Sequence, residues 1–424
     1  MTSPFDVVLL SNGPGELSTW VRPVVAELGR CWPTARISVI LAPDVNSSGR
    51  EAEIARGFPG VSRVQAARHY LRFLLTGQTV ERWEWAKRGV VLFLGGDQGL
   101  SAWIARRLGY PIVAYAEWQT RWPRWFDRFG LREEQVRTRS PKERFAGQYQ
   151  VVGDLMADGI QPVEAEREQI RTRLKLEPHE RLIGILPGSK PLKLTLGIPL
   201  FVGLAELLER ERPGLRFCLP VAPGLTGSDL AHFGRPQNTD VALVGGTTCR
   251  LEHDRGEDYL VSGAGTRVLL WFGRPAYDLY SLCELVITTV GANTAELGLL
   301  GVPMVVALPT NRLSVMQAWD GLPGLLSNLP GIGPTIAAFI NKRVLRQLNL
   351  LAWPNIRAGR QVVPELCREL KSADLLSPCL ELLDDPERCE DIRRQLQQVM
   401  DRPGAARALV QLAAAVLAEQ RAAG

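Results

Sequence analysis

The segment from Leu285 to Val306 constrains the fold more than any other part of the chain. A short apolar strand (Leu285 to Ile287) runs into Thr288-Thr289-Val290-Gly291-Ala292-Asn293-Thr294-Ala295-Glu296-Leu297-Gly298, a glycine turn that opens a helix. Leu299-Leu300-Gly301-Val302-Pro303-Met304-Val305-Val306 then returns to a second buried strand. A helix that starts beside a glycine turn presents unpaired backbone N–H groups and the positive end of its dipole, so a diphosphate fits in front of Gly291, Ala292, Asn293 and Thr294. Glu296, about one turn into the helix, is placed to accept hydrogen bonds from a pair of sugar hydroxyls. An ordinary β-turn-α crossover with a glutamate at the helix entry gives the same pattern, and such turns are common.

The same alternation runs through the whole chain. Phe5 to Leu10 reads as a strand, Asn12-Gly13-Pro14-Gly15 as a tight loop, Glu16 to Gly29 as a helix and Ile37 to Leu41 as a strand. Val90 to Leu94, Gln98 to Leu108 and Ile112 to Tyr115 continue it, which implies a parallel sheet covered on both faces. After a polar helix, Val163 to Leu174, a fresh strand at Leu182 to Leu186 opens a second alternation with helix Leu200 to Arg210 and strands Phe217 to Val221 and Val268 to Phe272. Two doubly wound domains are expected, 1–165 and 166–385, with helical periodicity in 386–424. Ser228 to Gly265, rich in glycine and polar residues, reads as a long loop or insertion.

Three turns at strand ends carry candidate chemistry. Leu186-Pro187-Gly188-Ser189-Lys190 sets a flexible turn, a hydroxyl and an ammonium where ligands collect in open α/β sheets; Lys190 either steadies a departing diphosphate or is a solvated turn lysine. It is not a Walker A loop. Leu94-Gly95-Gly96-Asp97 ends a strand of the first domain, so Asp97 is either a general base or a helix N-cap. The loop of Asn12 and Gly13 either cradles phosphate or only turns the chain, and Glu16, the second catalytic candidate beside Asp97, either binds the acceptor or only favours the helix start. The loop lacks the GxGxxG spacing of nicotinamide sites, and the four histidines give neither a metal-ligand pair nor a Ser/His/Asp order.

Partners and compartment follow from composition. A net charge of +5 suits anionic ligands or a lipid surface, and no basic tract has nucleic-acid spacing. Seven cysteines without a CxxC pair fit a reducing compartment, and neither a signal peptide nor an uncharged run near the ~20 residues of a membrane span is read. Two aromatic and basic segments, Tyr70 to Leu75 with Trp83 and Trp85, and Trp118 to Phe126 with Trp118, Trp122 and Trp125, suit either a membrane interface and an amphiphilic ligand or packing under a loop. Leu325 to Ile340, broken by Pro330, Gly331, Gly333 and Pro334, reads as an interfacial or active-site loop.

With these pieces in order, the chain resembles the lipid-A-disaccharide synthase family of two-domain, GT-B-type glycosyltransferases over most of its length. Leu186 to Lys190 is similar to the family's LPGSR, and Gly291 to Glu296 with Pro303 to Val306 to its SGTATLE…PMVV. Pro354-Asn355-Ile356 followed by Val363-Pro364-Glu365-Leu366 is similar to LPNxxA…VPEL. Asp97 falls at the DxPDF aspartate ahead of Ala114-Tyr115, where the family has its YVSPSVWAW strand, and Val152-Gly153-Asp154 falls near VGHPL.

The resemblance implies two Rossmann-like domains facing a cleft, with C-terminal helices packing back on the first. It implies inverting transfer of a 2,3-diacylglucosamine unit from UDP to 2,3-diacylglucosamine 1-phosphate, in a β-1,6 link. Asp97 would be the base, Lys190 would replace the family's arginine, and Glu296 would hold the ribose; Asn355, Arg360 and Glu365 would complete a donor pocket with Gly188 and Ser189. No metal or cofactor is implied. A lipid-linked acceptor, peripheral attachment at the inner face of the cytoplasmic membrane and a homodimer through the C-terminal helices complete the expectation. The GExSGD loop is replaced by Asn12 to Ser18, and Pro191-Leu192-Lys193 stands where an acidic partner usually follows LPGSR. A non-hydrolysing UDP-sugar epimerase on the same scaffold, a transferase for another glycolipid, and a catalytically silent binding protein are the competing readings.

Overall fold

The apolar runs become strands because each is covered on both faces, and their hydrogen bonding fixes two separate sheets. The computed structural model describes residues 5–44, 47, 49–138, 143–177, 180–273, 275–312 and 350–423. The chain divides into Met1–Ile160 with Asp401–Gly424, and Gln161–Met400.

In the first unit, β1 (Phe5–Ser11), β2 (Arg36–Leu41), β3 (Val61–Gln65), β4 (Arg88–Phe93), β5 (Ile112–Ala116), β6 (Arg128–Leu131) and β7 (Tyr149–Val151) form one parallel sheet in the order β3-β2-β1-β4-β5-β6-β7. The order reverses between β1 and β4, so the loops after these two strands meet at a switch point. Asp6 at the start of β1 is fully buried, which by itself would raise its carboxyl. Bonds from Arg36 Nε (2.7 Å), the Ala86 N–H (2.7 Å) and the Tyr110 hydroxyl (3.1 Å) outweigh that and hold it below the ordinary aspartate value.

The last helix, Ala405–Ala423, buries Ala406, Leu409, Val410, Ala413 and Val416 in the core of this unit, against helix Arg22–Cys31 and β6. Asp158 anchors its start, accepting from the N–H groups of Gly404 (2.7 Å) and Ala406 (2.9 Å). Of the two C-terminal helices expected to cross over, Pro386–Val399 stays with the second unit, packing on helices Ser372–Leu383 and Trp353–Ala358. Both stripes, Cys389-Ile392-Leu396 and Leu409-Val410-Ala413, are buried within the chain.

The second unit holds β8 (Arg181–Leu186), β9 (Leu215–Pro220), β10 (Cys249–Asp254), β11 (Glu257–Ser262), β12 (Arg267–Trp271), β13 (Leu285–Thr289), β14 (Met304–Pro309) and β15 (Glu365–Arg368), in the order β10-β11-β12-β9-β8-β13-β14-β15. All pairings are parallel except β10–β11 and β11–β12. The segment expected as a loop, Ser228 to Gly265, is instead built: helices Gly227–Phe233 and Asp240–Leu243 lead into the β10–β11 hairpin, which extends the sheet. Its polar composition follows from an antiparallel edge hairpin with a face toward water.

Helix Pro191–Glu211 starts nine residues before the expected Leu200, with Pro191 in its first turn and Pro199 inside it. A proline inside a helix frees the carbonyl four residues earlier. Asn238 of the inserted segment supplies the missing donor, its Nδ2 lying 2.8 Å from the Thr195 carbonyl. This helix is long and apolar enough to cross a membrane, but 67% of its most apolar window is buried in the protein, as in a core helix.

Removing the Asp158 anchor tests how the last helix is held. Asp158→Ala is expected to cost about 1 kcal/mol, the usual worth of a helix cap, and to speed amide exchange in 404–423 before any other segment. Unchanged exchange there would show that packing alone holds the helix.

Candidate functional site

In the second unit the strand order reverses between β8 and β13, where Leu186 pairs with Thr288. The turns after these strands, Pro187 to Lys190 and Val290 to Asn293, therefore lie side by side at carboxyl ends of parallel strands. Gly188 takes φ +103°, a region L-residues avoid, which is why the turn carries glycine. Lys190 is the exposed residue before the first turn of helix Pro191–Glu211, beside exposed Ser189.

Across the gap, helix Asn293–Leu299 begins after Gly291 and Ala292. The backbone N–H groups of Gly291, Ala292 and Asn293 make no hydrogen bond among the described residues. The side chains of Asn293 and Thr294 are already used: Asn293 donates to Thr288 Oγ1, and Thr294, fully buried, donates to the Gly291 carbonyl (2.9 Å) and accepts from the Trp353 N–H (3.1 Å). They shape the turn and leave its backbone to face a ligand.

Glu296 behaves differently. Its carboxylate accepts no hydrogen bond among the described residues, and burial pushes its carboxyl up to about 7. An unpaired, desolvated carboxylate one turn beyond open N–H groups is suited to a ligand hydroxyl pair.

The Pro354-Asn355 and Pro364-Glu365 motifs fold into one another. Asn355 is fully buried, accepts from the Val362 (2.6 Å) and Val363 (2.9 Å) N–H groups, and donates to the Val363 carbonyl (2.8 Å) and to Glu365 (2.6 Å). Glu365 also accepts from the N–H groups of Leu351 and Ala352. Arg360 is exposed and reaches Gln395 (2.6 Å). The polar atoms of Asn355 are thus spent on a wall that positions β15 and helix Trp353–Ala358 beside Thr294. Lys193, not singled out from sequence, does reach the turns: its Nζ donates to the Val290 carbonyl at 3.0 Å.

In the first unit, the loops after β1 and β4 carry carboxylates. Asn12 donates to Asp44 (2.6 Å), and Gly13 packs against the Glu16 carboxylate, so added bulk there would collide. Burial raises the Glu16 carboxyl, helped by the charge of Asp44. Asp97 is the exposed N-cap of helix Gln98–Leu108: Oδ1 accepts from the Leu100 N–H at 2.9 Å, leaving Oδ2 without a partner among the described residues. The cap and a basic oxygen coexist in one side chain.

The aromatic segments separate. Trp83 and Trp85, edge to face with one another, both contact the Arg63 guanidinium, 4.7 Å from each ring, so they are packing. Trp118, Trp122 and Trp125 are half exposed, and Trp122 and Trp125 stack at 5.2 Å with Trp122 held at φ +55°. Leu71 and Leu75 of helix Tyr70–Thr76 and Trp103 of the adjacent helix Gln98–Leu108 are also exposed, at 62, 74 and 56%. Arg72, Arg106, Arg107, Arg121 and Arg124 lie on the same segments. The Leu325 to Ile340 segment lies outside the described residues.

Two doubly wound sheets, the second with a turn-and-glutamate site at its switch point, define the GT-B class. No family model matches the chain. It is 27% identical over 254 residues to the lipid-A-disaccharide synthase of Geobacter sulfurreducens, covering 60% of this chain and 52% of that one. To the synthase of Trichlorobacter lovleyi it is 27% identical over 267 residues, covering 63% and 56%. The matched part spans little more than half of these curated relatives. Its fold is similar to that of a UDP-GlcNAc 2-epimerase from Neisseria meningitidis bound to UDP-GlcNAc, at a TM-score of 0.50 and 14% identity over 96% of this chain and 98% of that one. In sequence the chain is thus similar to lipid-A-disaccharide synthases.

The buried carboxyl gives a pH test. Because the folded protein holds Glu296 near 7 against an ordinary 4.5, its stability is full below about 4.5 and is lost as pH rises through 7. Glu296→Gln should therefore stabilise the ligand-free protein by roughly 1–3 kcal/mol at pH 8 and by much less at pH 5, read as a difference in Tm. Equal effects at both pH values would mean that burial does not govern this carboxyl.

Proposed function

We propose that the protein is an inverting glycosyltransferase that moves a glucosamine-type sugar, acylated in the family's manner, from UDP to a lipid-linked acceptor. The observation that carries this is the β8/β13 switch point, where two glycine turns, open backbone N–H groups and the desolvated carboxylate of half-buried Glu296 stand together. Kinship with the synthases supports the reaction, and the likeness to an epimerase that binds UDP-GlcNAc supports the scaffold.

In this reading the diphosphate lies across Gly188, Ser189 and Lys190 on one side and Gly291 to Asn293 on the other, while Glu296 accepts from the ribose hydroxyls. A carboxylate takes the proton of the acceptor hydroxyl as its oxygen attacks the anomeric carbon. The bond to the diphosphate breaks on the opposite face, UDP leaves with the electron pair, and the centre inverts. Asp97, through its unpartnered Oδ2, is the proposed base; Glu16 shapes the acceptor loop with Asn12 and Gly13. The chemistry needs preorganised charge on the leaving group more than covalent assistance.

The exposed tryptophans and leucines with interspersed arginines are proposed to rest on an anionic lipid surface, where such side chains gain both apolar burial and charge attraction. The location in this reading is the cytoplasm, peripheral on the inner face of the cytoplasmic membrane. Epimerisation without an acceptor is the second reading, favoured by the fold likeness.

Mass spectrometry of products from purified protein given UDP-GlcNAc or acylated UDP-glucosamine, with and without extracted membrane lipids, separates the two. Transfer is expected only when lipid is present, and Asp97→Asn should lower it at least about 100-fold with UDP affinity within a few fold. A C2 epimer of the sugar formed without lipid, or near-normal transfer by the variant, would remove the reaction or the base respectively.

A further inference from the structure

Lys193 occupies the third position of helix Pro191–Glu211, whose first turn carries no acidic residue. Lysine is poorly placed there on electrostatic grounds, since its charge adds to the positive end of a 21-residue helix. The side chain is nevertheless half-buried and folded inward over the turns. Its stem packs on Gly188, where a Cβ would come within 3.0 Å of the Lys193 Cβ and 2.8 Å of its Cδ. Its ammonium donates to the Val290 carbonyl at 3.0 Å and lies 3.8 Å from where a Cβ on Gly291 would stand. One side chain thus touches both glycine turns.

The neighbourhood supplies an independent pointer to a ligand. Glu296, one turn beyond Gly291 and half-buried, keeps a desolvated carboxylate with no hydrogen bond among the described residues. Burial accounts for its raised carboxyl. An ammonium and a carboxylate set apart on either side of one turn match a ligand with an anionic part and a hydroxyl-bearing part.

We propose that Lys193, rather than Lys190 alone, is the cation that holds the diphosphate of a nucleoside-diphosphate sugar, fixed between the β8 and β13 turns by the Val290 carbonyl. The proposal rests on the donor site argued above. On departure of the sugar, the leaving diphosphate gains negative charge next to an ammonium that is already in place, so no reorganisation is needed at that moment. Gly188 and Gly291 are then required for space: a side chain at either would displace the lysine stem or crowd the anion.

Calorimetric titration of the full chain with UDP and with uridine tests this, using Lys193→Met, which keeps the stem on Gly188, together with Lys193→Arg and Lys190→Met. UDP affinity should fall at least tenfold in Lys193→Met, with a weaker salt dependence, while uridine affinity stays within twofold. Lys193→Arg should keep most of the affinity, and Lys190→Met should lose less than Lys193→Met. Wild-type UDP affinity in Lys193→Met overturns the proposal, as does parallel loss of UDP and uridine with a lowered Tm, which marks a structural lysine. If the wild-type protein binds no UDP, the donor site itself is wrong and this role falls with it.

Discussion

The pairing of β8 with β13 is the interaction on which the candidate site depends. The strands are distant in sequence, and only their parallel register, with Leu186 opposite Thr288, brings the Gly188 turn next to the Gly291 turn. The chain reaches that pairing by winding outward through β9, β12 and an antiparallel hairpin, then crossing back to the other side of β8. Where winding reverses, the two crossover helices diverge and leave the strand ends uncovered. The first sheet repeats this between β1 and β4, which is why its carboxylates gather on the loops after those strands.

Much of this was legible from residue order, for physical reasons. Strands buried on both faces must be continuously apolar, so Val7 to Leu10, Val90 to Leu94 and Leu285 to Ile287 announce themselves, and the α/β class follows from their alternation with helices. The segment from Ser228 to Gly265 did not, because an edge hairpin needs neither apolar faces nor β-branched runs once β12 supplies its hydrogen-bond partner. The early start of helix Pro191–Glu211 was hidden by Pro199, which reads as a break; the long-range bond from Asn238 that repairs it has no local signal.

At the site, motifs proved easier to find than roles. The turns and Glu296 were legible, because glycine at a strand end followed by a helix start and a carboxylate a turn later is a purely local pattern. Asn355 carries just as distinctive a motif, yet its side chain is wholly occupied in tying 351–365 together. Lys193 was missed because i to i+3 spacing from Lys190 says only that both lie on the first turn; its reach across to Val290 depends on a strand about a hundred residues away. The site also carries electrostatic costs, a desolvated carboxylate without a hydrogen bond among the described residues and a lysine at a helix start, whereas the buried Asp6 of the first unit is fully bonded.

A crystal structure with UDP bound is the most direct test of the central claim. Density for the diphosphate between the Gly188 and Gly291 turns, with the ribose hydroxyls within about 3 Å of the Glu296 carboxylate, is the predicted result. Nucleotide density on the first sheet, or at the second with Glu296 turned away from the ribose, would contradict it.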